Sequence, residues 1–340
     1  MEYKKITIII PCRNEEKFIE KVIKSILNQT YPKDKMEVFF VDGMSEDNTR
    51  KIIEKYSRKY DFIKLIKNPY KYVPYAMNLG IKNASGDIII RMDAHSEYPN
   101  NYIEKLVNWL EKLKADNVGG IGITIPRSNS LKARAIALSL SHPFGVGNSL
   151  FRIVKNLNQP IEVDTVPFGC YRKEIFDEIG LYNEHLIRNQ DIELNKRLKK
   201  FGGKIYLVPD VKIKYYARDN WKALWKNNFA NGRWVILTAF FTKDLSSLSL
   251  RHFIPLIFVL YLFLLPILGL EKNFFIYIPL IIYLTLNLVF SIQLSIKNKN
   301  FFLFPYIFIS FIILHLSYGM GSLYGILEVI FKTMRKLLKL

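Results

Sequence analysis

Residues 88–98 read IIIRMDAHSEY. A run of isoleucines of this kind suits a strand buried on both faces, as in a parallel sheet covered by helices. The run ends in Asp93 and His95, one residue apart and both able to hold a metal. Side chains alternate along a strand, so an extended chain sends Asp93 and His95 to one side and Ala94 to the other. The expectation is two ligands facing one point just beyond a strand end.

Working outward, the same pattern recurs toward the N-terminus. KITIIIP (5–11) is a β-branched apolar run stopped by Pro11, and EEKFIEKVIKSILNQ (15–29) follows with Phe18, Ile19, Val22, Ile23, Ile26 and Leu27 on one helical stripe. MEVFFVDG (36–43) is a second strand, SEDNTRKIIEKYSRKY (45–60) a helix with capping residues at its start, and FIKLIKN (62–68) a third strand. VPYAMNLGIKNA (73–84) predicts a short helix broken at Gly80, ahead of the strand GDIIIRMD (86–93). Strands alternating with helices imply a doubly wound α/β domain, in which the ligand crevice lies beyond the C-terminal strand ends. The polar clusters PCRNE, DGMSEDN and DAH all fall at those ends.

Further along, NNYIEKLVNWLEKLKA (100–115) is amphipathic and VGGIGITIP (118–126) predicts another strand. Residues 131–159, with SHPFGVGNSLFR inside them, predict a mobile loop over a site. VDTVPFGCYRKEIFDEIG (163–180) returns to strand, turn and helix, and RNQDIELNKRLKKFGGKIYLVPD (188–210) to a helix ended by Gly202 and Gly203, then a strand.

Composition changes after Phe253. The stretches 253–270, 274–296 and 301–330 are almost wholly apolar and about as long as, or longer than, the 17 to 25 residues that cross a bilayer, so two or three spans are expected. Gly319, Gly321 and Gly325 mark a possible break in the last of them. NWKALWKNNFANGRWVILTAFF (220–241) predicts an interfacial helix. Three regions follow: a polar α/β domain over 1–220, an amphipathic region over 221–250, and a transmembrane region with a basic tail over 251–340. The short apolar run before the first charged helix does not suit a secretory signal, so the polar domain is expected in the cytoplasm of a multi-pass cell-membrane protein.

The net charge of +19 is scattered among acidic residues, which suits anionic lipid and phosphate-bearing substrates and argues against a nucleic-acid partner. The two cysteines, Cys12 and Cys170, show no zinc or disulfide spacing.

Taken in order, residues 8–32, 38–49, 76–95, 168–180 and 188–210 carry motifs that resemble a family 2 inverting glycosyltransferase of the GT-A fold, near the membrane-bound succinoglycan-biosynthesis type. The resemblance implies that Pro11, Arg13 and Glu15 lie near a nucleotide and that Asp42 contacts its base. It implies that Asp93 and His95 stand for the Asp-x-Asp element, which binds Mn²⁺ or Mg²⁺ on the sugar-nucleotide diphosphate. Asp191 matches the general base. Two departures stand out: DAH where many members have two carboxylates, and Gln190-Asp191 where many have Glu-Asp.

The chemistry agrees with the resemblance. A leaving diphosphate needs a cation on its oxygens, and imidazole suits Mn²⁺ better than Mg²⁺. Inversion in one displacement needs a base opposite the leaving group. Structural alternatives stand beside these roles: Asp42 as a helix cap, Asn78 in a backbone turn instead of against the donor, Arg172 and Arg188 as surface charge instead of phosphate contacts. Arg233-Trp234 suits an interfacial anchor better than the processive-synthase element it partly resembles. The expected partners are a nucleotide-diphosphate sugar, a lipid-linked or polyprenyl-phosphate acceptor, and the membrane. The competing functions are a processive polysaccharide synthase and a non-catalytic membrane scaffold.

Overall fold

The computed structural model describes residues 2–154, 156–244, 252–268 and 273–337. The end of the interfacial region expected over 221–250, residues 251 and 269–272 of the apolar region and the last residues of the basic tail lie outside them. The chain forms two compact units, Met1–Ile123 with Val154–Tyr215, and Thr124–Ile153 with Tyr216–Leu340.

The first unit is built on a sheet of eight strands: β1 Ile6–Cys12, β2 Met36–Asp42, β3 Ile63–Lys67, β4 Ile88–Arg91, β5 Asn117–Ile125, β6 Ile161–Glu162, β7 Cys170–Arg172 and β8 Ile205–Tyr216. Their order is β3-β2-β1-β4-β7-β5-β8-β6. The β1–β2, β2–β3 and β1–β4 pairs are parallel; β7 inserts antiparallel to both β4 and β5, and β6 runs antiparallel to β8. Successive strands leave β1 in opposite directions, β2 on one side and β4 on the other. Such a switch point opens a crevice at the C-terminal strand ends.

Alternation decides what each face holds. Ile6, Ile8 and Ile10 of β1 and Ile88 and Ile90 of β4 join one core with α1 Ile19–Leu27, α2 Thr49–Ser57 and, later in the chain, the helix Tyr102–Lys112. Ile9 faces the other way, against α3 Val73–Asn83. The expected break at Gly80 does not occur: α3 runs through it, and a Cβ there would sit 2.6 Å from the Ile9 side chain. Gly80 serves close packing of helix on sheet.

Numbered in chain order, the remaining helices are α4 Tyr102–Lys112, α5 Leu131–Ser139, α6 Pro143–Val146, α7 Leu150–Ile153, α8 Ile175–Ile179, α9 Gln190–Lys200, α10 Trp221–Thr242, α11 Ile254–Leu268, α12 Ile278–Lys297 and α13 Phe304–Leu337. Where a mobile loop was expected, α5, α6 and α7 stand, and residues 124–153 belong to the second unit. The Ala-rich run 131–139 has high helix propensity, and Ser130 caps it by accepting from the Ala133 N–H.

Within the second unit, α10 lies along α13. Asn228 donates to the Leu314 carbonyl and to Ser317 Oγ at 3.2 Å, and Arg233 grips Glu328 with two bonds of 2.7 and 3.0 Å. The glycines expected to break α13 leave it continuous over 34 residues. They are crossing points: a Cβ on Gly321 would lie 2.0 Å from the Phe229 carbonyl oxygen, and one on Gly232 of α10 would lie 2.0 Å from that of Tyr318. Small residues let helix backbones approach this closely. Two segments, Phe274–Lys297 and Phe301–Arg335, are long and apolar enough to cross a membrane, and α12 exposes Ile281, Ile282, Leu286 and Val289.

Candidate active site

Loops after β1 and β2 form one wall. The two strands end in register, Cys12 beside Asp42, and the Gly43 N–H donates to the Cys12 carbonyl at 2.8 Å. Asn14 and Met44 take left-handed backbone conformations that turn the loops toward each other. The Asn14 N–H donates to Ser45 Oγ at 2.9 Å and Asn14 Oδ1 accepts from the Glu46 N–H at 2.9 Å. Arg13 reaches Glu46 across this seam at 3.5 Å, and Pro11 is half-buried beneath it.

Asp42 and Asn78 each have partners within the protein. The Asp42 carboxylate is fully buried, accepts from the Ser45 N–H at 3.1 Å and pairs with Arg50 at 3.6 Å, so it holds the loop that follows β2. The Asn78 amide donates to the Tyr182 carbonyl and to Glu184 and accepts from the Tyr182 N–H, each at 2.9 Å. It braces the turn ahead of α9.

The opposite wall begins where β4 ends, at Arg91, two residues before Asp93. Asp93 and His95 therefore lie beyond the strand, His95 in a turn, and strand alternation does not orient them as expected. Their neighbours do. The Asp93 N–H donates to Tyr98 Oη at 2.6 Å, while His95 Nδ1 lies 3.1 Å from Glu15 Oε1. Asp93 feels the charges of His95, Asp191 and Glu15 as well as that of Arg91.

Arg91 joins the two key carboxylates. Its Nη1 binds Asp191 Oδ1 at the start of α9, and its Nη2 lies 3.7 Å from Asp93 Oδ1. The Asp93 side chain is 21 % exposed and that of Asp191 30 %, while Arg91 keeps 9 %. Both carboxylates are reachable, with the guanidinium behind them. Burial pushes the Asp93 carboxyl above its ordinary range, against the pull of Arg91 and His95. For Arg91, burial works against the charge, but Asp191 and Asp93 prevail and hold the guanidinium protonated.

Asn189, which precedes α9, is left-handed at φ 62°, a conformation Asn accepts more readily than most residues. Gln190 is buried, and its Oε1 has no hydrogen-bond partner among the described residues. Arg172 is taken up by Glu111 at 3.0 Å and by the Ala115 carbonyl. Both cysteines are free and buried, and burial pushes both thiols up, so neither suits a nucleophile.

Among the described residues no group of three or more His, Cys, Asp and Glu is arranged to hold a metal. Asp93 and His95, with Glu15 behind the imidazole, fit a site of another kind, in which the protein supplies one or two ligands and substrate phosphates complete the shell. Arg91 is the residue that sequence reasoning missed. The signal was present: a charged side chain closing an isoleucine strand, on the face opposite Ile88 and Ile90.

A parallel sheet with a switch point, reachable carboxylates at its strand ends and an antiparallel strand inserted beside them defines the GT-A class of folds. The sequence profile of glycosyl transferase family 2 matches residues 7–180, and the chain belongs to that family of glycosyltransferases. It is 32% identical over 233 residues to the dolichyl N-acetyl-α-D-glucosaminyl phosphate 3-β-D-2,3-diacetamido-2,3-dideoxy-β-D-glucuronosyltransferase of Methanococcus voltae, covering 67% of this chain and 71% of the relative. It is 30% identical over 251 residues to the succinoglycan biosynthesis protein ExoA of Rhizobium meliloti, covering 73% and 74%. In fold it is similar to the mannosyltransferase PcManGT from Pyrobaculum calidifontis, solved with GDP-Man and Mn²⁺, at a TM-score of 0.60 and 16% identity over 96% of this chain and 88% of that one.

Proposed function

We propose that this glycosyltransferase transfers a sugar, with inversion and with a divalent cation, from a nucleotide-diphosphate donor to a lipid-linked acceptor at the cytoplasmic face of a membrane. The observation that carries the reading is the joining of two reachable carboxylates, Asp93 just beyond β4 and Asp191 at the start of α9, by one buried guanidinium at the C-terminal end of β4. A donor lies across the crevice with its nucleotide along the loops of Pro11, Arg13 and Glu15. Asp93 and His95 are the residues that would hold the cation, Mn²⁺ in preference to Mg²⁺, and it would supply Lewis-acid relief of charge on the leaving diphosphate.

Asp191 takes the proton from the acceptor hydroxyl as that oxygen attacks the anomeric carbon opposite the diphosphate. One displacement inverts the centre. Support for a lipid-linked acceptor comes from the exposed apolar helices of the second unit and from the name of the Methanococcus voltae relative, which carries dolichyl phosphate. The experiment is a thermal-shift panel of UDP, GDP and their sugars with and without Mn²⁺, followed by NMR of the product's anomeric configuration. Absence of any Mn²⁺-dependent nucleotide shift, or a retained configuration, defeats the reading.

A further inference from the structure

Arg91 is the only lysine or arginine buried among the described residues, and it sits in a strand that is otherwise isoleucine. A buried cation weakens a core unless its partners return what desolvation removes, so an apolar residue would serve this strand better. The guanidinium contacts two carboxylates brought from far apart in the chain: Nη1 binds Asp191 Oδ1 and Nη2 lies 3.7 Å from Asp93 Oδ1. Its Nε is buried without a hydrogen-bond partner among the described residues, and the group lies over the Phe168 ring, 6.0 Å from its centroid. The Arg91 N–H donates to the Gly169 carbonyl at 3.0 Å, so the antiparallel entry into β7 fixes the backbone from which the side chain extends.

We propose that Arg91 is a positioning residue that holds the base Asp191 at a set place relative to Asp93, and that it binds neither nucleotide nor cation. The proposal rests on the donor and base assignment given above. Its physical content lies in the planar fork: two nitrogens at fixed separation can serve two carboxylates at once, whereas an ammonium is a single point. Arg91→Lys keeps the charge and removes the fork.

The test uses the full chain in detergent as wild type, Arg91→Lys, Asp191→Asn and the double variant. Affinity for UDP and GDP with Mn²⁺ is measured by calorimetry, and turnover by nucleoside diphosphate release from UDP- and GDP-sugars at saturation. Because the residue acts through another, Arg91→Lys is expected to lower turnover about tenfold or more and to change Mn²⁺-nucleotide affinity less than about threefold. In the Asp191→Asn background the same change should cost less than about twofold, since residues that act as a unit are not additive.

Turnover and affinity falling together would make Arg91 a donor-binding residue and overturn the proposal. Unchanged turnover, or the same loss in both backgrounds, would overturn it as well. Should Arg91→Lys fail to fold, Arg91→Gln, which is smaller and neutral, must show the same separation of turnover from affinity. A wild type that binds neither nucleotide with Mn²⁺ defeats the donor assignment, and the role of Arg91 falls with it; a wild type that binds and turns over, with variants that break the pattern, defeats the role of Arg91 alone.

Discussion

The sheet of the first unit holds a carboxylate at each end, Glu37 buried and Asp93 partly exposed, and the two are treated in opposite ways. At the N-terminal end Glu37 accepts from Thr7 Oγ1 at 2.8 Å, the Ser85 N–H at 3.0 Å and Ser85 Oγ at 3.1 Å. Burial pushes its carboxyl up, but these donors and Lys64 outweigh burial and hold it below its ordinary range. At the C-terminal end, burial wins over Arg91 and His95, and Asp93 is held above its ordinary range. One carboxylate is saturated by its own chain; the other keeps unmet demand for positive charge. A carboxylate of the second kind, open to a crevice, suits chemistry, and one of the first kind suits architecture.

The sharpest way to break this contrast is at Asp191. Asp191→Asn is expected to cut turnover by about 10²- to 10⁴-fold while Mn²⁺-dependent nucleotide binding, followed by calorimetry, persists. Next comes Asp93→Ala, for which turnover falls about 10²- to 10³-fold and the Mn²⁺ dependence of UDP or GDP affinity disappears. If Mn²⁺ still strengthens nucleotide binding in that variant, Asp93 is not the cation ligand. Asn78→Ala releases the turn at Tyr182 and Glu184 that leads into α9; the expected cost is about 1–3 kcal/mol in chemical denaturation, with turnover lowered less than by either carboxylate change.

Glu37→Ala should cost a similar 1–3 kcal/mol, roughly, because Thr7 and Ser85 lose their acceptor, yet leave turnover per folded molecule unchanged. The smallest effect is in pH. A carboxyl held low in the folded state stabilises above its unfolded value, and that contribution is lost as pH falls through the folded one. Melting temperature should therefore drop more steeply from pH 6 to pH 3 in the wild type than in Glu37→Gln; parallel curves would show that Glu37 is not held low.

The C-terminal side of this contrast is legible in the residues, the Glu37 side is not, and the losses have physical causes. Buried strands announce themselves through β-branched runs, so the strand ends and the polar clusters there were found without coordinates. Alternation does not reach Asp93 and His95, because β4 ends at Arg91. The ion pair from Arg91 to Asp191 spans 100 residues of chain, and nothing local encodes it. Asp42 and Asn78 show the same limit: their partners Arg50 and Tyr182 emerge only once loops have closed. Glycine was the most misleading signal. Gly80, Gly319, Gly321 and Gly325 suggested breaks, while the helices run straight through and use the missing Cβ for contact. A missing side chain frees the backbone and also admits a neighbour, and sequence alone does not choose.

Finally, the unbroken course of α13 sets a mismatch with any lipid slab. At 1.5 Å per residue its 34 residues make a rod about 51 Å tall, against a hydrocarbon layer of about 30 Å. Lying wholly inside would demand a lean of about 54°, beyond the usual range of roughly 0–40°. With the second unit in a bilayer, one end of the rod stands clear in water, and Glu328, Lys332 and Arg335 mark it as the C-terminal end. In that setting the Glu328 clasp on Arg233 would belong to the wet headgroup layer, and α13 would be a mast that carries helical order out of the oil.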